Sequence, residues 1–323
     1  MFSEKLFKKI LVDPVSAGAD ALCVISGYAT AAMAVSHIKA LKKRTKKDIK
    51  IRLIIGMGIK DGLSVSNHSG LKAAVTAYKS FECWYHVNSP AVHSKVYTWM
   101  KKGRPIKAFV GSANYTHTAF SKKQGECLAA ASPAKSLKYF NRFLHGTVRC
   151  DSPVAEHKIK IYPDAVFARL KHPPKGKKAG PAKVLRPKIA AAPSVRVSLL
   201  DKKNRLPKIS GLNWGQRPGR ERNQAYIHLP ASVYKTDFFP PRGVDFTVRT
   251  DDKKIFYCHR AQDNGKGIHT ENNSLLGRYF RERLGVPLGQ MVKKSDLRRY
   301  GRTYVDFYKI EDETYYVDFS KPS

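Results

Sequence analysis

Residues 93–126 read HSKVYTWMKKGRPIKAFVGSANYTHTAFSKKQGE. The alternating run around His93 and Lys95 has the pattern of a strand, in which side chains two apart share a face, so imidazole and ammonium are expected in one pocket. A second apolar run, IKAFV, leads into Gly111-Ser112-Ala113-Asn114, a tight turn ending in small polar donors, and Glu126 opens a third run, ECLAAAS. An imidazole, an ammonium, a hydroxyl and an amide gathered together suit a phosphodiester. They offer a nucleophile or acid, a charge clamp and neutral donors for oxygens.

His93-Ser94-Lys95 followed by Gly111-Ser112-Ala113-Asn114 resembles the half-site of the phospholipase D superfamily. The fuller family pattern has an Asp five residues after the Lys. Met100 stands there in this chain, which argues against a lipase or synthase. A downstream acid such as Glu126 is what the NgoFVII-type, BfiI-like restriction nucleases show instead. The resemblance implies an α/β phospholipase D-like sandwich domain. It also implies a homodimer, because family members with one half-site pair two chains across a two-fold axis to complete one active site.

Composition agrees with a polyanionic partner. Sixty Lys and Arg against 25 Asp and Glu leave a net charge of +35 over 323 residues. The excess runs through both halves, which points to nucleic acid first and an anionic membrane surface second. The length suits two domains. The five cysteines lie far apart without a C-x-x-C pair, which argues against a disulfide framework or a zinc site. The N-terminus has no long apolar segment with a cleavage site, and no run reaches the length of a membrane helix. A soluble, cytoplasmic protein without membrane attachment is the expectation.

In order, strands are expected over 20–29, 49–57 and 81–87, with a helix over about 29–44 and another beginning at Pro133. The first helix carries a second H-x-K, His37-Ile38-Lys39. On a helix these side chains diverge by roughly 200°, so the pair reads as a solvated face. Residues 171–195 form a basic, proline-rich linker without an acid at its heart, a mixture that neither helices nor central strands tolerate. The expected division is a nuclease and dimerisation domain over 1–170, this linker, and a recognition domain over 196–323.

The last part reads as short strands with two short helices, one over NSLLGRYFRERLG, capped by Asn273 or Ser274 and ended by Gly285, and one from Ser295 to Gly301. Two polar segments stand out as loops. The first carries Trp214, Gln216, Arg217, Arg220, Arg222, Asn223 and Gln224. The second carries Arg260, Gln262, Asn264, Lys266, His269 and Asn272. Arg pairs with guanine edges and Asn or Gln with adenine, so such loops suit direct base readout, whereas plain phosphate gripping needs only Lys and Arg. WGQRPGRERNQAYIHLP, NNSLLGRYFRERLG and DLRRYGR resemble the C-terminal domain of NgoFVII-type restriction endonucleases. That domain is a mainly β DNA-binding pseudobarrel whose two arms grip the major groove.

The two resemblances imply a type II-like restriction endonuclease acting on double-stranded DNA. In the family mechanism His93 of one subunit forms a phosphohistidine and His93 of the other protonates the leaving oxygen. Lys95, Asn114 and Ser112 hold the phosphate oxygens, and Glu126 orients or tunes a histidine. No metal and no cofactor are expected. A cognate DNA methyltransferase and, as in some relatives, a separately encoded ATP-dependent helicase-like subunit are the implied partners. The alternatives are a DNA-binding regulator with an inactive dimerisation module and a phospholipase drawn to membranes. Met100 and the polar loops argue against the last.

Overall fold

The computed structural model of the chain describes residues 1–121, 124–171 and 192–322. They separate into two units, Met1–Pro163 and Asp164–Ser323. No helix among the described residues is long and apolar enough to cross a membrane.

The first unit contains β1 (Ala21–Ser26), α1 (Ala31–Thr45), β2 (Lys50–Ile55), α2 (Gly58–Asp61), β3 (Leu63–Ser64), α3 (Val65–Ala77), β4 (Phe81–His86), β5 (Val96–Lys101) and β6 (Arg104–Gly111). It continues through α4 (His117–Phe120), β7 (Leu128–Ala131), α5 (Pro133–Leu144), β8 (Thr147–Arg149), α6 (Pro153–Lys158) and β9 (Ile161–Tyr162). Seven strands form one sheet in the order β7-β6-β5-β1-β2-β4-β8. β1, β2 and β4 are parallel and the other pairs antiparallel. β1 and the Leu53–Ile55 end of β2 are mostly apolar and buried, as parallel strands covered on both faces must be. Cys23, Ile25, Val96 and Met100 point toward α5, where Leu137, Phe140 and Phe143 pack on them. Their alternates on β5, Tyr97 and Trp99, face the other way, toward His37 of α1 and Tyr115. Helices thus cover both faces, the expected α/β sandwich.

His37 is not on a solvated face. It is fully buried, its Nε2–H donating to the Leu11 carbonyl at 2.6 Å and its Nδ1 accepting from the Tyr115 hydroxyl at 2.7 Å. The reason is the segment Phe7–Val12. Phe7 packs edge-on to His37, and Trp99 Nε1 donates to the Ile10 carbonyl, so this side of α1 faces protein. The helix beginning at Pro133 ends at Leu144, and Thr147–Arg149 joins the sheet as β8.

The second unit contains α7 (Asp164–Lys171), β10 (Ser194–Ser198), β11 (Ile227–His228), α8 (Ala231–Tyr234), β12 (Asp245–Thr250), β13 (Ile255–Ala261), β14 (Gly267–Thr270), α9 (Asn273–Leu284), α10 (Lys294–Tyr300), β15 (Tyr304–Glu311) and β16 (Thr314–Asp318). The linker expected over 171–195 falls mostly outside the described residues. A seven-stranded sheet runs β10-β15-β16-β12-β13-β14-β11, antiparallel except for β12 with β16. Its edge strands β10 and β11 come close to each other, so the sheet curls toward a barrel. Phe239, Phe246, Phe307, Tyr315 and Phe280 fill it, each aromatic burying a large apolar area. α9 is capped by Asn272, whose side chain accepts from Ser274 N–H, one or two residues earlier than expected. Gly285 ends it in the left-handed conformation.

Candidate active site and nucleic-acid interface

One edge of the first sheet collects every candidate catalytic residue. β1 ends at Ser26 and β2 at Ile55. β5 starts at Val96 opposite Ile25, and Gly111 at the end of β6 lies opposite Leu128. The chain therefore delivers Gly27 and Tyr28, His93 to Lys95, Ser112 to Asn114, and Glu126 to the same rim. This rim is the carboxyl end of the parallel strands, where such sheets leave their crevice.

His93 and Lys95 are not themselves in a strand, since β5 begins at Val96. They meet because Lys95 folds back, its Nζ lying 3.0 Å from His93 Nε2 and 2.7 Å from the His93 carbonyl oxygen. An ammonium only donates, so Nε2 is the acceptor and the proton of a neutral imidazole rests on Nδ1. One of the three ammonium N–H groups is left for a ligand. Burial lowers the pKa of Lys95, and the charge of Glu126 works against that shift. Glu126 is itself buried and its charge acts on Lys95 and Tyr97.

Asn114 is held from the opposite side. Its Oδ1 accepts from the Tyr28 backbone N–H at 3.2 Å and lies 3.4 Å from the Ser26 hydroxyl. That hydroxyl donates to the Tyr28 carbonyl at 2.6 Å and accepts from Tyr115 N–H at 2.9 Å. With a backbone donor fixing the oxygen, the Asn114 NH2 is left as the donor end. Between the two groups sits Gly27. A Cβ there would come within 2.7 Å of His93 Cδ2 and 3.3 Å of Asn114 Oδ1, so the residue must be glycine for imidazole and amide to share the site. Ser112 is exposed, and its hydroxyl accepts from Cys127 N–H at 3.1 Å.

His93 is exposed on a cleft of about 830 Å³ that Tyr28, Met57, Ile59, Lys60, Asp61 and Pro90 help to line. Tyr28 stands edge-to-face with the His93 ring, centroids 5.8 Å apart, and its hydroxyl donates to the Asp61 carboxylate. Burial, then the bond to Asp61, push its pKa up to about 12. Ser26, Gly27, Tyr28 and Asp61 escaped the sequence reading. The Gly after a short apolar strand was the available signal. Among the described residues no three His, Cys, Asp or Glu side chains gather as a metal ion would require.

In the second unit the two polar segments approach each other over an aromatic cluster. Trp214 meets Tyr226 and His269 edge-on, and Tyr226 stacks on His269 at 5.1 Å with ring planes 4° apart. The Arg220 guanidinium lies 3.8 Å over Trp214 and donates to Gln224 Oε1 at 3.1 Å. Arg217, Arg220, Arg222 and Asn264 are exposed, and Gln224, Gln262 and Lys266 are half-buried.

Other candidates are committed elsewhere. Arg260 is buried and its guanidinium reaches the carbonyls of Gly265, Tyr234, Asn264 and Pro240 at 2.6–3.4 Å. Asn223, also buried, bonds Glu221 and Gly289. His269 donates from Nδ1 to Asn273 at 3.2 Å, and burial, then the charge of His259, lower its pKa to about 4. Asn272 caps α9, and Gln216 bonds the carbonyls of Arg222 and Gly289. The hydrogen bonds of these five lie within the second unit itself. The second segment is not one loop, since Gly267–Thr270 pairs as β14 with β11 and β13. Arg281 was missed. Fully buried, it holds the Arg222, Gly277 and Gln290 carbonyls and so fixes the first arm to α9.

Comparison with known proteins gives two family matches. The NgoFVII restriction endonuclease N-terminal PLD domain matches residues 4–156, and the NgoFVII C-terminal B3-like DNA-binding domain matches residues 188–311. Among solved structures, NucT from Helicobacter pylori is 17% identical over 46% of this chain and 96% of its own, with a TM-score of 0.32. Nuc from Salmonella typhimurium, a phospholipase D family member, is 18% identical over 45% of this chain and 88% of its own, with a TM-score of 0.30. No curated protein matches the chain. The two domain matches follow each other in the order of the two units, and the chain belongs to the NgoFVII restriction endonuclease family.

Proposed function

We infer that this chain cleaves double-stranded DNA at or near a specific short sequence, without a metal ion, through a covalent phosphohistidine. The observation that carries the reading is His93 Nε2 held as an acceptor 3.0 Å from Lys95 Nζ, with the Asn114 amide fixed across Gly27. When a phosphodiester enters, its non-bridging oxygens draw the Lys95 ammonium and the Asn114 NH2. That frees the Nε2 lone pair to attack phosphorus. The P–N bond forms as the P–O bond to the leaving nucleoside breaks. The leaving oxygen takes a proton from His93 of a second copy. Water then attacks phosphorus, the P–N bond breaks, and the same second histidine accepts the proton of that water. One chain brings one such histidine, so the reaction calls for a homodimer. Glu126 serves by holding Lys95 charged against burial. Ser112 accepts from Cys127 N–H and donates, at a long 3.4 Å, to the Cys127 carbonyl, and its hydroxyl serves a phosphate oxygen by turning away from that carbonyl.

Site selection is assigned to the exposed Arg217, Arg220, Arg222 and Asn264 and the half-buried Gln224, Gln262 and Lys266 of the two arms, over the scaffold beneath them. A cognate methyltransferase and an ATP-dependent partner remain part of the proposal, as does action in the cytoplasm.

The test is digestion of several unrelated plasmid and phage DNAs in excess EDTA, with a His93→Ala variant alongside. Discrete fragments from the native chain and none from the variant, which still binds DNA, are the expected result. Loss of cleavage on chelation, with the fold intact, contradicts the phosphohistidine route. Specific binding without cutting favours a regulator.

A further inference from the structure

Three separate links join Tyr28 to the two groups that must meet on the phosphate. Its backbone N–H bonds Asn114 Oδ1 at 3.2 Å, and its carbonyl takes the Ser26 hydroxyl that lies beside the same oxygen. Its ring meets the His93 ring edge-to-face at an interplanar angle of 76°. Its hydroxyl is tied to Asp61 at the end of α2, an element that follows β2 and owes nothing to the H-x-K or G-S-x-N segments. Tyr28 also forms a wall of the cleft onto which His93 opens.

A histidine that attacks phosphorus must keep its ring plane aligned with the P–O bond that breaks, and exposed imidazoles turn freely about χ2. Lys95 fixes one ring atom of His93 but leaves when it moves to the phosphate. Something else must hold the ring at that moment. We propose that Tyr28, tethered by Asp61, is the positioning residue that keeps the His93 ring in its attacking orientation and in register with the Asn114 amide. The backbone half of this device sets Asn114, and the side-chain half sets His93. One residue thus spaces the nucleophile from the oxyanion donor. Burial and the bond to Asp61 raise the pKa of the phenol, which favours the protonated form that the tether needs. The inference rests on the nuclease reading of His93.

The experiment measures single-turnover cleavage of one plasmid that yields discrete fragments, as a function of enzyme concentration, for Tyr28→Phe, Tyr28→Leu, Asp61→Ala, the Tyr28→Phe with Asp61→Ala double variant, and His93→Ala. Tyr28→Leu is expected to lower the limiting rate by roughly 30- to 100-fold, the scale of an ångström-sized misplacement. The enzyme concentration for half-maximal rate should stay within about twofold, because uniform binding is untouched. Tyr28→Phe and Asp61→Ala should each lose only about 3- to 10-fold, since the ring remains and its tether is gone. The Tyr28→Phe, Asp61→Ala double variant should be no worse than either single variant, as two ends of one contact behave. A native limiting rate in Tyr28→Leu overturns the proposal. So does a loss confined to the half-maximal concentration. Should Tyr28→Leu not fold, the other two decide, and native rates in both overturn it. Normal cutting by His93→Ala overturns the nuclease assignment itself, which separates that failure from this one.

Discussion

Replacing Gln262 by glycine tests whether the second arm stores strain for the sake of reading DNA. Gln262 has φ 64° and ψ 175°, a region that is essentially restricted to glycine and costs a side-chain-bearing residue about 1–3 kcal/mol. It is over-determined there, between the last pair of β13 with β14 and the turn in which Gly265 N–H bonds the Gln262 carbonyl at 3.1 Å. Glycine recovers the strain, at the expense of about 0.5–1 kcal/mol of extra chain entropy. The lost amide contact to His269, long at 3.4 Å, subtracts little. The net expectation is a gain of about 1 kcal/mol, or roughly 2–4 °C in Tm for a domain of this size. In exchange the arm loses a carboxamide able to pair with a base edge. That should cost about 1–3 kcal/mol of discrimination, tenfold or more in the ratio of specific to non-specific affinity. Thermal unfolding and competition binding, both in a His93→Ala background that leaves DNA intact, give the two numbers. A lower Tm refutes the strain. A higher Tm with unchanged discrimination refutes the claim that the strain is kept for recognition.

Two further outcomes follow from close packing and from burial. Gly277→Ala sets helix propensity against contact. Alanine favours a helix by about 1 kcal/mol, but its Cβ would stand 1.6 Å from the Asn223 carbonyl oxygen. Overpacking against backbone should therefore win, with a net loss of about 2 kcal/mol or more and weakened DNA binding. An unchanged urea midpoint contradicts that close approach. His37 is kept neutral by burial, which lowers its pKa to about 4 from a usual 6.5. The unfolded chain binds the proton first, so the stability this group contributes is complete above pH about 6.5 and falls as pH drops toward 4. His37→Gln can keep both hydrogen bonds without titrating, so it should lose less stability between pH 7 and 4.5 while still cleaving DNA. An equal acid slope in the two proteins would show that His37 is not the group responsible.

What could be read along the chain was whatever chemistry is short in sequence. His93 and Lys95 are two residues apart, and Gly111 to Asn114 occupy a single turn, so spacing alone exposes them. The other half of the site arrives on β1 and α2, and it becomes adjacent only through the pairing of β1 with β5 and β2. A Gly closing a strand hints at a close approach, but says nothing of Tyr28 or Asp61. His37 misled for the opposite reason. The alanine-rich start of α1 leaves little to distinguish an inward from an outward side, and the cover comes from Phe7–Val12 in another part of the chain. In the arms, composition pointed to two segments and could not assign roles to their residues, because a guanidinium that reads guanine and one that holds a turn are the same in sequence. Hydrogen-bond accounting separates them. Arg260 already reaches four carbonyls from the interior of the unit, and a side chain with its donors so engaged has little left to offer a base. Arg220, stacked on Trp214 with its charge at the surface, is pre-oriented and still has donors to give.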